Sequence, residues 1–367
     1  MAEERKNPVI AAVDLFCGVG GLTHGLLREG IVVRAGFDID SRCQFPYEQN
    51  NQGAKFFDDD VKALTGETLK KFYKPGEVSI LAGCAPCQPF STFRHTYNKK
   101  LKKQESQGEI IADDDKWSLL RSFGRLVSEV KPDIVTMENV PKLVHHSVFD
   151  EFLDTLTENG LVPDFRTLDC SKFGIPQRRK RLVLLASMKG KIKFPDATEY
   201  ASLDNSVKNA IGHLPRIAAG EENADDTLHR SRSLQPINLR RIQASRPGGT
   251  WKEWDKELLP QCYKVKSGES FQSVYGRMSW KEPAPTITTQ FFGYGTGRFG
   301  HPEQDRALSL REGALLQTFP SNYEFIEEGA DVTFDKLGQW IGNAVPVDLG
   351  RLISRAITKH VSEYDWD

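Results

Sequence analysis

VIAAVDLFCGVGGLTHGLLREGIVVRAGFDID, residues 9–40, decides the fold. VIAAVDLF (9–16) is a short apolar run with the composition of a buried strand. It stops at glycines, and GGLTHGLLREG (20–30) continues as a helix. A second apolar run, IVVRAGFDID (31–40), follows at once and ends on acids. Strand, glycine turn, helix, strand is the unit from which parallel sheets are built, because parallel neighbours need a crossover between them.

The rhythm recurs at VSILAGC (78–84), DIVTMENV (133–140) and RLVLLAS (181–187). Between these runs lie amphipathic helices. Leu119, Leu120, Phe123, Leu126, Val127 and Val130 mark one, and Val148, Phe149, Phe152, Leu153 and Leu156 the next. The expected class is α/β, a Rossmann-like, doubly wound and mostly parallel sheet. Residues 94–116 are polar and nearly core-free, the composition of a lid or binding loop. From about 194 to 330 the alternation disappears, and VPVDLGRLISRAI (345–357) closes the chain as a helix. Residues 1–195 with 332–367 are therefore expected to form one domain, and 196–331 a smaller irregular one.

Composition excludes several classes. The chain has 367 residues, 39% hydrophobic and 27% charged, which suits a globular protein with a sizeable core. Neither a secretory leader nor an apolar run of membrane-spanning length is read from it, so the expected location is cytoplasmic. Six scattered cysteines argue against a disulfide framework. Net charge is only −1, yet Ser171–Lys193 carries eight Lys or Arg and no acid. Thr227–Lys252 carries Arg230, Arg232, Arg240, Arg241, Arg246 and Lys252, also without an acid. Basic stripes on a neutral chain fit a polyanion bound on one face, while solvated loops are the plain alternative.

Four stretches carry candidate chemistry. DLFCGVGG (14–21) places glycines where a backbone must approach a ligand, and Asp38 at the next strand end suits ribose hydroxyls. Asp60 and Val61 follow the third strand, where an adenine edge would lie. GCAPCQPFS (83–91) holds Cys84 and Cys87 with Pro86 and Pro89 around the second. The prolines argue for an extended loop rather than the helix start of a redox pair, and no partner ligands exist for zinc, so no metal is expected. A lone nucleophile or two ordinary thiols remain. MENV (137–140) ends a strand with Glu138, and GIPQRRKRL (174–182) precedes another with Arg179 and Arg181, which point the same way if that segment is extended.

DLFCGVGG, PCQPFS, MENV and QRRKR, in this order and each at a strand end, together resemble the C5-cytosine DNA methyltransferases of bacterial restriction–modification systems. RALSLREGALLQTFP (306–320), GNAVPVDLG (342–350) and PAPTIT (283–288) are similar to further blocks of that family, so the likeness runs from Asp14 to about Gly350. It implies the S-adenosylmethionine-dependent methyltransferase fold, with a target-recognition region in the irregular segment. By this resemblance Cys87 attacks C6 of a flipped cytosine in duplex DNA, Glu138 faces N3, Arg181 contacts O2, and Arg179 supports the catalytic loop or a phosphate. Phe16, Gly18, Gly20, Asp38, Ile39, Asp60, Val61 and Asn343 would hold S-adenosylmethionine. Cys84 lies outside the matched pattern. Arg240, Arg241, Gln243, Arg246, Thr286, Thr288 and Gln290 are candidate base readers, and Lys99, Lys100, Lys102 and Lys103 suit phosphates. The implied protein is a monomer of the bacterial cytoplasm, on the nucleoid when bound to DNA, with a separate restriction endonuclease as its functional counterpart. The alternative is an RNA (tRNA) cytosine-5 methyltransferase built on the same motifs.

Overall fold

The computed structural model describes residues 8–86, 113–264 and 274–366. Two compact units emerge. The first takes the chain up to Leu168, Lys180–Pro195, and everything from Gly350 onward; the second takes Asp169–Arg179 and Asp196–Leu349.

The first unit is a seven-stranded sheet. Its strands are β1 (Ile10–Leu15), β2 (Val32–Phe37), β3 (Lys55–Phe57), β4 (Val78–Gly83), β5 (Ile134–Asn139), β6 (Val162–Asp169) and, after the two-residue β7 (Gln177–Arg178) of the second unit, β8 (Lys180–Ser187). The order is β3-β2-β1-β4-β5-β8-β6. Every residue of β1 is buried, as expected of a central strand covered on both faces. The pairs β1–β2, β1–β4, β2–β3 and β4–β5 are parallel. β5–β8 is antiparallel. The sheet is thus Rossmann-like and mostly parallel, as the sequence predicts.

One face carries the main apolar core, where Val13, Leu15, Leu81, Val135 and Met137 pack on Phe123, Leu126 and Val127 of the helix Asp113–Val130 and on Phe149 and Phe152 of Ser147–Glu158. That helix begins at Asp113, so the last residues of the expected 94–116 loop are helical; residues 94–112 lie outside the described residues. Against the opposite face lies the helix Gly21–Arg28. The C-terminal helix Val347–Glu363 approaches it so closely that a Cβ on Gly350 would stand 3.1 Å from the Leu22 carbonyl oxygen. Arg351 and Arg355 close the contact on Glu29, and His360 meets Ser187 at 2.9 Å.

The second unit has little regular structure and is organised by buried polar side chains instead. Arg306 is fully buried and donates twice to Glu312, at 2.7 Å each, while the Ser309 and Glu312 side chains cap their own helix reciprocally. Burial alone would push the Glu312 carboxyl up, but the Arg306 hydrogen bonds and charge hold it at about 2. Such a pair is costly to break from one side, because the surviving charge stays buried. Glu312→Gln should therefore lower unfolding free energy by about 3–5 kcal/mol, read by denaturant titration at pH 7. The native contribution is present above the ordinary carboxylate range and lost as pH falls from about 4.5 through about 2, so the variant should lack that part of the acid transition.

Candidate active site

Five parallel strands end on one edge of the sheet, and β1 is the strand from which the order runs both ways, to β2 and to β4. That reversal opens a crevice at the carboxyl ends, where ligands of open α/β sheets bind. The segment after β1 enters it through a strained turn. Phe16 has φ 60, rare outside glycine, and Gly18 and Gly20 follow at φ 50 and 86. A Cβ on Gly18 would meet nothing within 4 Å, so the turn faces open space.

Asp38 organises this turn from the neighbouring strand end. Its carboxylate accepts the Gly18 N–H at 2.9 Å and the Asp40 N–H at 3.0 Å. Ile39 beside it is 73% exposed, an uncovered aliphatic surface at the crevice. After β3, Asp60 accepts the Lys62 N–H at 2.9 Å, and Val61 is buried. An acid hydrogen-bonded to a glycine turn, an open backbone and a bare aliphatic face suit the adenosyl group of the expected cofactor.

Glu138 ends β5 and is 8% exposed. Because β8 runs antiparallel, its first residues lie at the same edge, with Asn139 opposite Leu182. Arg181 therefore reaches Glu138, Nε to Oε1 at 2.7 Å. The contact is an ion pair out of line for a hydrogen bond, and Glu138 Oε1 has no hydrogen-bond partner. Next to it Asn139 donates to the Ala85 carbonyl at 3.0 Å, tying the segment after β4 to the end of β5. Cys84 leaves β4 here with its thiol pushed well up, first by burial and then by the charges of Glu138 and Asp14. Cys87 lies outside the described residues.

Arg179 and Arg181 do not act together, although extended alternation points them the same way. The chain breaks pairing between β7 and β8, and Arg179 belongs to the second unit. It is 3% exposed and donates to the carbonyls of Ile287 (2.9 Å) and Gly342 (3.3 Å). Gln177 extends the same work, donating to Leu316 O and Gln317 Oε1 and accepting the Ile287 N–H. The two side chains thus pin PAPTIT and GNAVP to one another within that unit, a role that residue type alone does not disclose. Asn343 is exposed at the end of the helix Phe334–Asn343.

The second basic stripe is internally matched. Arg240 pairs with Glu257, Arg246 with Glu253 at 2.8 Å, and Arg232 with Asp335 at 3.6 Å. Arg241 donates to Leu258 O at 2.8 Å and lies over the Trp254 and Tyr275 rings. Surface pairs of this kind are weak enough for phosphates to replace, whereas Arg241 is built into the unit. Thr286 donates to Arg178 O at 2.6 Å.

Sequence reasoning passed over Asp14, whose environment is unlike that of any other acid at this edge. It is 1% exposed, and Thr23 Oγ1 donates to its Oδ2 at 2.7 Å. Burial pushes its carboxyl up to about 7, with the Asp38 charge adding to the shift and the Thr23 bond opposing it. A raised acid contributes stability that is full below its unfolded value near 3.8 and is lost as pH climbs to about 7. Asp14→Asn keeps the shape and the Thr23 bond without the charge. At pH 8 it should raise unfolding free energy by about 2–4 kcal/mol, and near pH 4 by almost nothing.

Similar proteins agree with this geometry. The family profile described as C-5 cytosine-specific DNA methylase matches residues 10–359. The chain is 47% identical over 352 residues to the Type II methylase M.HgiDII of Herpetosiphon aurantiacus, covering 95% of each. It is 29% identical to the Type II methyltransferase M1.HphI of Haemophilus parahaemolyticus, covering 95% of this chain and 86% of that one. Among solved structures, a DNA modification methyltransferase candidate from an E. coli prophage shares the fold at TM-score 0.70 and 20% identity, over 97% of this chain and all of that one. The Dnmt2 methyltransferase of S. pombe does so at TM-score 0.61 and 17% identity, with the same coverage. The chain belongs to the C-5 cytosine-specific DNA methylase family.

Proposed function

We propose that this enzyme methylates C5 of a cytosine at a specific site in double-stranded DNA, with S-adenosylmethionine as donor and Cys87 as nucleophile. The observation that carries the reading is the buried Arg181–Glu138 ion pair at the crevice edge, Nε to Oε1 at 2.7 Å. The target base must leave the stack to be reached. Its C6 then bonds to the Cys87 sulfur, and the electron pair displaced from the C5–C6 bond moves through the ring toward N3. Glu138 supplies a proton at N3, and Arg181 steadies both that carboxyl and O2 of the base. Bound S-adenosylmethionine would supply an electrophilic methyl group to C5, its sulfonium sulfur taking the electron pair of the broken C–S bond and leaving as a neutral thioether. Loss of the C5 proton returns its electron pair to the ring, the C6–S bond breaks to restore the 5,6 double bond, and N3 returns its proton to Glu138.

Residues 1–195 and 332–367 carry this chemistry and 196–331 read the sequence. The helix Phe334–Asn343, which ends on Asn343, folds with the second unit. The relatives named Type II favour a role beside a restriction endonuclease of the same specificity. The enzyme works as a monomer in the bacterial cytoplasm.

Duplex DNA with 5-fluorocytosine at the target tests the covalent step, since fluorine cannot leave C5 as a cation after methyl transfer. A complex stable to denaturing electrophoresis should form only with S-adenosylmethionine, vanish in Cys87→Ser and persist in Cys84→Ser. Trapping that follows Cys84 instead would assign the wrong sulfur, and trapping on RNA alone would select the RNA reading. Glu138→Gln should cut single-turnover methylation about 10²-fold, the scale of acid–base assistance, with donor binding retained by calorimetry. A rate near that of the native enzyme sinks the Glu138 role.

A further inference from the structure

Three central strands are in register below the crevice. Asp14 of β1 stands beside Ala82 of β4, and Ala82 beside Thr136 of β5. Directly paired residues of a parallel sheet share a face, so these three side chains form a row on the face covered by the helix Gly21–Arg28, from which Thr23 bonds Asp14. Two residues further along, on the same face, come Cys84 and Glu138. Across two strand spacings Asp14 and Thr136 lie roughly 9–10 Å apart at the backbone. The residue paired between them is the fully buried Ala82, whose side chain is a single methyl group.

Each end of the row offers an unused oxygen. Among the described residues Asp14 Oδ1 and Thr136 Oγ1 are buried without a hydrogen-bond partner, while Glu138 Oε1 above them has the Arg181 ion pair at 2.7 Å but no aligned hydrogen bond. All three residues are more than nine-tenths buried. Buried polar atoms are nearly always paired, by protein or by ordered water. Unpartnered oxygens gathered on one face of neighbouring strands point to one shared occupant.

We infer that Asp14, Ala82 and Thr136 form a seat for ordered water beneath Cys84 and Glu138, and that Asp14 is a positioning residue holding Glu138 through that water. This rests on the role given to Glu138 above. In its protonated form Asp14 donates through Oδ1 while Oδ2 accepts from Thr23. In its ionised form it places a buried negative charge under a site that must also develop a thiolate. The groups facing Asp14 are Asp38 from the end of β2, Cys17 in the glycine turn, Cys84 from β4, and the Tyr47 hydroxyl, 3.0 Å behind Thr23. Glu138 and its partner Arg181 stand beyond Cys84. No cation touches Asp14 among these groups, and burial lifts its carboxyl to about 7, so both forms are present at neutral pH.

Asparagine imitates the protonated carboxyl, donating through its amide nitrogen and accepting from Thr23. The ratio of single-turnover rates, Asp14→Asn over native, should rise several-fold between pH 6 and pH 8.5, because groups common to both proteins cancel. Thr136→Val removes the hydroxyl and Ala82→Val fills the gap, and each should lower kcat about 10-fold with KM for DNA unchanged. A crystal structure of the native protein should show a water within hydrogen-bond reach of Asp14 and Thr136. A flat ratio, an Asp14→Asn protein that is folded but inactive at every pH, or native kcat in both valine variants overturns the inference, as does a dry gap. Glu138→Gln separates the two levels. If that variant alone is native-like, the Glu138 role fails, while the crystallographic water still decides the seat.

Discussion

The antiparallel entry of β8 beside β5 is the constraint on which the site depends. In a fully parallel sheet every strand would begin at the edge remote from the crevice, and a residue at the start of β8 would face away from Glu138. Reversing this one strand brings Arg181 to the carboxyl edge and within 2.7 Å of Glu138. The ordering of the other strands then follows from β1 as the turning point, with the glycine turn on one side and Cys84 on the other. Asn139 ties the end of β5 to Ala85, so Glu138, Arg181 and the segment that leaves β4 share one short stretch of sheet edge.

Immediately before β8 the chain changes unit, and the side chains there serve the second unit instead. Gln177 and Arg179 bind carbonyls that belong to segments more than 100 residues away, and Gln317 binds that of Ile341, 24 residues on, at 2.7 Å. An irregular unit of this kind lacks long ladders to satisfy its backbone, and long side chains with several donors satisfy it instead. Arg277 follows the same logic, donating to Ser245, His301 and Gln304 carbonyls. A basic segment can thus serve construction as readily as polyanion binding.

Much of the first unit was legible because its code is local. Apolar runs bounded by glycine mark β1, β2, β4, β5 and β8, and 3.6-residue spacing marks the helices that cover them. The edge strand β6 was not legible. Its residues VPDFRTLD are largely exposed, so no apolar run distinguishes them. The separate fates of Arg179 and Arg181 were equally hidden, since the break in pairing between β7 and β8 is made by partners distant in sequence. The pairing of Arg240 with Glu257 and of Arg246 with Glu253 shows the same limit, because a stripe without acids of its own is neutralised by acids a few turns away.

Asp14 is the deepest case of this limit. Within VIAAVDLF a lone acid looks like the polar end of a strand, and only register reveals that it faces Ala82 and, across it, Thr136. The smallness of Ala82 matters only because polar atoms stand on both sides, just as the polarity of Thr136 matters only because no protein group reaches it. Buried polar groups are expensive unless satisfied, so a fold that keeps two of them, Asp14 and Thr136, under Glu138 is stabilised by whatever joins them. The neighbouring Cys84 thiol stays neutral there, and so adds no further charge between Asp14 and Glu138. Two carboxyls at one sheet edge consequently have different surroundings, one beside an arginine and one beside a threonine hydroxyl.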